Sequence, residues 1–142
     1  MEVALVSAIR GHSVTIYEKS SELGGVFIAA SNFSFKEKDK DLLTWYRHQI
    51  NKYTNIKVVF NKEIKDLTEI SADEIVVATG ATANHLTVPG DAKIIEASDY
   101  LANNREVKDN VLIIGGGLTG CEIAYDLYLK GKHPVIVEMK QD

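Results

Sequence analysis

The sequence predicts an α/β fold, a Rossmann-like parallel sheet with flanking helices, and three observations lead to this prediction. An apolar run, Val111–Ile114, is followed at once by GGGLTG at Gly115–Gly120, which matches G-x-G-x-x-G. This order is typical of a strand, buried on both faces, that enters a phosphate-binding turn and a helix. A second apolar run then ends in Glu138, and residues 2–18 repeat the later half of this pattern. Together these features predict a β-α-β nucleotide-binding unit.

Length and composition are those of an ordinary globular domain. The chain has 142 residues, of which 45% are hydrophobic and 25% charged, and its formal net charge is −4. A negative protein has no general attraction for nucleic acid or anionic lipid, and no apolar stretch approaches the roughly 20 residues that span a bilayer. We therefore expect a soluble, cytoplasmic protein without nucleic-acid or membrane partners. The single cysteine, Cys121, predicts neither an internal disulfide nor a thiolate metal site.

An internal repeat determines how the N-terminal residues are interpreted. A shift of 120 positions superposes five pairs of identical residues and places Val3 on the similar residue Ile123. The identical pairs are Glu2 with Glu122, Ala4 with Ala124, Gly11 with Gly131, Ile16 with Ile136, and Glu18 with Glu138. In this register the motif glycines of the first copy would precede Met1. We therefore predict a helix from about Glu2 to Arg10 and a strand at Val14–Glu18, in a unit that lacks its first strand and phosphate loop. Because the chain also stops just after the second strand of the later unit, we expect truncation at both ends.

Local signals predict the elements between the two copies. A capping box, S-x-x-E at Ser34–Glu37, opens a helix that runs to about Tyr53. The apolar face predicted for this helix comprises Leu42, Leu43, Tyr46, Ile50 and Tyr53. Ile56–Phe60 is rich in β-branched residues and predicts a strand. Glu74–Thr79 predicts a buried strand that turns sharply at Gly80.

From residue 81 to 109 the chain loses its periodicity and reads as a crossing segment between two lobes. Val88–Asp91 contains Pro-Gly and predicts a turn, while Ser98–Leu101 predicts a short helix.

Each residue of the glycine motif has a physical role in nucleotide binding. Gly115 permits the tight turn after the strand, and Gly117 lets the backbone approach a pyrophosphate without a Cβ in the way. Gly120 lets the helix lie close to the sheet. Leu118 and Thr119 complete the helix start, whose unpaired N–H groups and positive dipole end would bind a diphosphate.

Glu138 predicts the choice of nicotinamide cofactor. It follows Gly120 by 18 residues, at the end of the second strand, where a carboxylate accepts hydrogen bonds from an adenosine ribose. A carboxylate there would repel a 2′-phosphate, so the NAD(P)H site should prefer NADH. Lys140 lies nearby and weakens this preference.

Four stretches of the chain carry a resemblance to a known family: RGHSVTIYEKSSELGG, EIVVATGA, VPGDA and VLIIGGGLTGCEIAYDLYLKGKHPVIVE. Their succession resembles the flavin and pyridine-nucleotide region of NADH:flavin oxidoreductases. It is most similar to long members of the old yellow enzyme family, such as 2-enoate reductases and 2,4-dienoyl-CoA reductases. The resemblance implies FAD or a bare adenine nucleotide in the first unit, and NAD(P)H in a second unit inserted into the first.

The resemblance also implies which residues touch each cofactor. Glu18 resembles the carboxylate on the first nucleotide's ribose, and Lys19, Gly24 and Gly25 resemble the loop along that nucleotide. The strand end that passes the flavin corresponds to Ala78, Thr79 and Gly80. The NAD(P)H site corresponds to Gly115, Gly117, Gly120 and Glu138. No residue matches an acid, base or nucleophile that acts on substrate, so no catalytic residue is predicted.

The resemblance implies that residues 1–80 are a partial FAD-binding lobe without its first strand and glycine loop. Residues 81–109 would be the crossing segment, and residues 110–142 would be the first β-α-β unit of the NAD(P)H-binding domain. The barrel that carries FMN, and the cysteine cluster that holds iron and sulfur, would belong to the missing part of the enzyme. In the intact enzyme, hydride would pass from NADH to FAD, for reduction of an enoate or dienoyl-type double bond elsewhere. The isolated chain is expected to be inactive.

Two other interpretations remain open at this point. The chain could be a non-catalytic NAD(H)-sensing or regulatory Rossmann module, which a neighbouring DNA-binding or partner domain would indicate. It could also bind nothing measurable when isolated.

The missing first strand leads to one structural hypothesis. It leaves a gap between Val14–Glu18 and Glu74–Thr79, and an unpaired buried edge favours pairing with another strand. Val111–Ile114 is the candidate, either within one chain or by exchange in a strand-exchanged homodimer.

Overall fold

In a computed structural model, which describes residues 1–83, 89 and 94–140, the chain divides into two compact units. Unit 1 comprises Met1–Ile28 and Lys38–Ala81, and unit 2 comprises Ala29–Glu37 and Thr82–Asp142. The turn predicted at Val88–Asp91 lies outside the described residues, except for Pro89. None of the helices within the described ranges has the length and apolar character that a membrane crossing requires.

Unit 1 is built on a pair of parallel strands. In chain order the elements up to residue 69 are α1 (Glu2–Ile9), β1 (Val14–Tyr17), α2 (Val26–Ala30), α3 (Glu37–Lys52), β2 (Ile56–Val59) and a 3₁₀ helix (Leu67–Glu69). All of their residues belong to unit 1 except the end of α2, from Ala29, and the first residue of α3, Glu37. β1 and β2 are in register, with Val14 opposite Ile56 and Tyr17 opposite Val59. The buried core consists of Ala4, Leu5, Leu23 and Ile50.

Unit 2 contains the predicted β-α-β arrangement. Its elements are α4 (Ala97–Asn103), β3 (Asn110–Ile114), α5 (Leu118–Leu129) and β4 (His133–Val137). β3 and β4 are parallel, with Asn110 opposite His133 and Ile114 opposite Val137. The buried core consists of Phe33, Tyr100, Ile123 and Leu127. Parallel strands with flanking helices confirm the predicted α/β class.

The internal repeat is present in the backbone hydrogen bonds of the two units. α1 and α5 both end in a Schellman motif around a glycine with positive φ, Gly11 at +92° and Gly131 at +75°. The N–H of Gly11 donates to the Ala8 carbonyl at 3.0 Å, and the N–H of Gly131 donates to the Tyr128 carbonyl at 2.9 Å. These partners are also 120 positions apart. The two copies therefore share their helix-to-strand connection, not only their sequence pattern.

The predicted strand at Glu74–Thr79 is wrong, because this stretch has no regular secondary structure. A strand needs a neighbour to receive its hydrogen bonds, and the described strands form only the pairs β1–β2 and β3–β4. The apolar side chains of Ile75, Val76 and Val77 are consequently 42%, 62% and 68% exposed.

Two predictions about Val111–Ile114 are also wrong. β3 pairs with β4 and with no other described strand, so it does not fill a gap in unit 1 within one chain. It is not buried on both faces either, since Leu112 is 62% and Ile114 55% exposed. α5 packs against one face only, through Val111 and Ile113, and no described element covers the other face. The strand-exchanged homodimer remains a prediction.

The capping box predicted at Ser34–Glu37 is not formed. α3 begins at Glu37, and the Ser34 hydroxyl donates to the carboxylate of Asp126 at 3.2 Å instead. Part of the helix's predicted apolar face is correct, because Leu43 and Ile50 are buried. Leu42, however, is 44% exposed.

Candidate functional site

A tight glycine turn follows β3 in unit 2. Gly115 has φ +107°, which side-chain-bearing residues rarely adopt, and its N–H donates to the Val137 carbonyl at 2.9 Å. A Cβ on Gly120 would lie 2.0 Å from the Gly115 carbonyl oxygen and 3.5 Å from Cγ2 of Ile113. Only glycine at position 120 therefore allows α5 to approach the turn this closely.

The N-terminus of α5 faces open space beside this turn. Gly117 is its N-cap and provides no side-chain hydrogen bond, and a Cβ added there would meet nothing within 4 Å. Leu118 is 78% exposed and Thr119 is also exposed. The first N–H groups of a helix have no intrahelical acceptor and carry the positive end of its dipole. An uncapped helix start with open space at a glycine is the kind of site at which proteins bind anions such as a diphosphate.

The carboxylate of Glu138 bridges the end of β4 to the glycine turn. One oxygen accepts from the Gly116 N–H at 2.7 Å and the other accepts from the Lys140 N–H at 2.8 Å. Both backbone donors lower the pKa of Glu138, and the hydrogen bond from Lys140 has the larger effect. The exposed side chain therefore stays ionised to lower pH than a free glutamate.

Glu18 makes the equivalent local contact in unit 1. One of its carboxylate oxygens accepts from the N–H and the hydroxyl of Ser20, both at 2.8 Å. Ser20 and Lys140 are 120 positions apart, so the repeat extends to the carboxylates assigned to the two riboses. Two residues that follow β2 also bind the backbone of this segment. The Asn61 N–H donates to the Ser20 carbonyl and the Lys62 N–H donates to the Glu18 carbonyl, both at 3.0 Å.

The glycine pair that follows is tightly packed on one side. Gly24 has φ +137°, and a Cβ there would lie 2.8 Å from Cγ1 of Ile28 and 2.9 Å from Cδ1 of Leu43. Gly25 has φ +52° with nothing within 4 Å of an added Cβ. Lys19 is exposed.

The remaining predicted residues are not positioned by a strand. Ala78, Thr79 and Gly80 are exposed and lie in the irregular stretch at the end of unit 1, with Gly80 at φ +77°. The predicted first-nucleotide residues thus belong to unit 1 and the predicted NAD(P)H residues to unit 2.

Sequence reasoning missed Asp126, a buried carboxylate on α5. It is 2% exposed, pairs with Lys130 Nζ at 2.6 Å, and accepts from the hydroxyls of Ser34 and Tyr100 at 3.2 and 3.4 Å. Lys130 is four residues away on the same helix, but Ser34 and Tyr100 come from distant parts of the chain, and no local pattern identifies these two partners. In the first copy of the repeat, the position that corresponds to Asp126 is occupied by Val6. The hydrogen bonds and ion pair of Asp126 therefore distinguish unit 2 from unit 1.

Comparison with known proteins adds a family and several relatives. A family described as pyridine nucleotide-disulphide oxidoreductase matches residues 1–142. Cinnamate reductase from Clostridium sporogenes is 41% identical over 145 aligned residues, which cover 100% of this chain and 22% of that protein. NADH oxidase from Thermoanaerobacter brockii is 32% identical over 100% of this chain and 23% of that protein. A solved complex of 2-naphthoyl-CoA reductase with 2-naphthoyl-CoA has a TM-score of 0.85 at 29% identity, over 99% of this chain and 22% of that one. The chain therefore spans about a fifth of the length of these relatives.

Proposed function

The chain belongs to the pyridine nucleotide-disulphide oxidoreductase family, and we propose that it is the nucleotide-binding part of a flavin-dependent NADH oxidoreductase. The relatives confirm the resemblance, predicted from sequence, to old yellow enzyme-type NADH:flavin oxidoreductases. Family membership also confirms FAD and NAD(H) as the cofactor class, and identifies the chain as part of an oxidoreductase domain.

The proposal that unit 2 binds NADH rests on three groups that lie at one edge of the β3–β4 pair. The glycine turn, the uncapped start of α5 and the carboxylate of Glu138 meet at the carboxyl ends of β3 and β4. Ligands of open α/β sheets bind at that edge, with a diphosphate on the helix N-terminus. The three groups together match the diphosphate and the adenosine ribose of one dinucleotide.

The chain's own residues bind and orient, while the cofactors supply the redox chemistry. NADH provides a hydride and FAD accepts it when both are bound. In unit 2 the first N–H groups of α5 would hold the diphosphate, and Glu138 would accept hydrogen bonds from the ribose hydroxyls. In unit 1 Glu18 and the Lys19–Gly25 loop would hold the first nucleotide, and Ala78–Gly80 would contribute to the flavin site.

The substrate proposal extends beyond this chain to the whole enzyme. Reduction of an enoate or dienoyl-type double bond would take place in another domain, with FMN and an iron–sulfur cluster there. The names cinnamate reductase and 2-naphthoyl-CoA reductase support a substrate with an activated carbon–carbon bond. Because the matched relatives are oxidoreductases, we favour this function over a regulatory NAD(H)-sensing module.

Replacing Glu138 by glutamine tests the NADH site. Glutamine offers one acceptor oxygen where the Gly116 and Lys140 N–H groups engage two, so one N–H loses its partner, and the negative charge is removed. We expect NADH to bind about tenfold more weakly, which corresponds to about 1.4 kcal/mol. The preference for NADH over NADPH should also narrow, because the 2′-phosphate is no longer repelled.

Fluorescence titration of both nucleotides measures these changes. Glu106→Gln is the matched control, since Glu106 is exposed and precedes the N-terminal end of β3, whereas the turn follows the C-terminal end of that strand. Equal affinities for NADH and NADPH in the unmodified chain, or no effect of Glu138→Gln, would reject the assigned role of Glu138.

A further inference from the structure

The guanidinium of Arg47, on α3, holds the loop Lys19–Gly25 at its glycine end. We propose that Arg47 is a positioning residue for the first nucleotide: it fixes this loop in the nucleotide-binding conformation before the nucleotide arrives. The inference rests on the proposed function, which assigns the loop to that nucleotide. Nothing in the sequence motifs identifies Arg47.

Three polar contacts join Arg47 to the loop. Nε and Nη2 both donate to the Leu23 carbonyl, at 2.8 and 2.5 Å, and Nη2 pairs with the Glu22 carboxylate at 2.7 Å. Hydrogen bonds from a charged donor are stronger than neutral ones. The Glu22 carboxylate is 53% exposed, and such surface pairs contribute little. The two hydrogen bonds from Arg47 to the Leu23 carbonyl are therefore the contacts that hold the loop.

Leu23 is held at both its side chain and its backbone. The side chain is 7% exposed and packs in the unit 1 core with Ala4, Leu5 and Ile50. Its carbonyl is fixed by Arg47, so the chain enters the Gly24–Gly25 turn from a fixed point. A rotation at Leu23 would have to break a core contact as well as two charge-assisted hydrogen bonds.

One face of α3 provides all of this support. Leu43, Arg47 and Ile50 are spaced i, i+4 and i+7, which places them on the same side of a helix. Leu43 packs against the space where a Gly24 Cβ would be, Arg47 binds the Leu23 carbonyl, and Ile50 lies in the core. Contacts with α3 therefore restrict the backbone conformation at the entry to the Gly24–Gly25 pair.

The opposite end of the loop is held independently. Ser20 bonds to Glu18, and the N–H of Asn61 donates to the Ser20 carbonyl. Within the described residues, Arg47 is the side chain that fixes the glycine end by hydrogen bonds. A loop ordered in advance loses less conformational entropy on binding, which raises affinity without a new ligand contact.

The test compares Arg47→Met and Arg47→Lys with Arg10→Met, an exposed arginine in the same unit. Backbone ¹⁵N relaxation on the full chain reports loop order, and titrations with ADP and NADH report affinity. In Arg47→Met we expect fast motion confined to the glycine end of the loop, residues 22–25, and about tenfold weaker ADP binding, with NADH affinity unchanged. Arg47→Lys should restore part of the loop order and part of the ADP affinity. Arg10→Met should have the loop order and the ADP affinity of the unmodified chain.

The outcomes separate the inference from the proposed function. An unmodified chain that fails to bind ADP would reject the first-nucleotide site itself. Arg47→Met with an ordered loop, or with a mobile loop and unchanged ADP affinity, would overturn the positioning role of Arg47. Equal loss of order throughout α3 and β1 would show that Arg47 only stabilises the unit, and would also overturn it.

Discussion

Replacing Gly120 by alanine is expected to weaken NADH binding strongly and to destabilise unit 2. The new Cβ would lie 2.0 Å from the Gly115 carbonyl oxygen, which belongs to the backbone and cannot rotate away. Either the start of α5 or the glycine turn must move, and both form the proposed diphosphate site. Overpacking of this kind costs about 1–3 kcal/mol, and we expect NADH affinity to fall by about a hundredfold. Thermal unfolding and NADH titration measure the two effects.

Gly117→Ala provides the informative comparison. Its Cβ would meet nothing within 4 Å, and Gly117 has φ −67°, which any residue adopts. Stability should therefore be unchanged within about 0.5 kcal/mol. NADH should still bind more weakly, because the methyl group would occupy the space proposed for the diphosphate. Wild-type stability and NADH affinity in Gly120→Ala would show that the turn does not have the described geometry.

Replacing Phe33 by alanine is expected to unfold much of unit 2, although Phe33 precedes that unit's strands by more than 70 residues. The ring is 1% exposed and packs with Tyr100, Ile123 and Leu127. It also stacks on Phe35, with centroids 5.2 Å apart. Truncation of a buried phenylalanine costs about 3–5 kcal/mol, a large part of the 5–15 kcal/mol typical of a folded domain. NADH binding should weaken in parallel, because the β-α-β unit loses its core.

Hydrogen exchange at the backbone amides of Gly115 and His133, which donate across the β3–β4 pair to the Val137 and Asp109 carbonyls, measures this loss within unit 2. Phe60→Ala is the matched control, because Phe60 is 42% exposed and lies in unit 1. It should leave exchange in β3 and β4 unchanged. A loss below about 1 kcal/mol in Phe33→Ala would contradict the assignment of residues 29–37 to unit 2.

The parts of the fold that were predictable from sequence are those determined by local geometry. The motif at Gly115–Gly120 predicted the strand, the turn and the helix start, because tight turns require particular residue types at fixed spacing. The repeat predicted α1 and β1 for the same reason. A glycine with positive φ ends the helix in both copies.

The errors arise where a residue's partner is distant in sequence. Ser34 carries a local capping signal, but its hydroxyl binds Asp126, 92 residues away. Ile75–Val77 has strand propensity without a strand beside it among the described residues. Arg47 and Asp126 were missed because their roles depend on which helix face is covered, and that is decided by tertiary packing.

NADH binding by unit 2 is tested most directly by an NADH titration of the ¹⁵N-labelled chain, observed residue by residue. We expect saturable shifts at the amides of Gly116, Gly117, Leu118 and Thr119, and at Lys140 beside Glu138, with weaker binding of NADPH. Absence of saturation at millimolar NADH, or shifts confined to the opposite strand ends at Asn110 and His133, would contradict NADH binding at the carboxyl edge of β3 and β4.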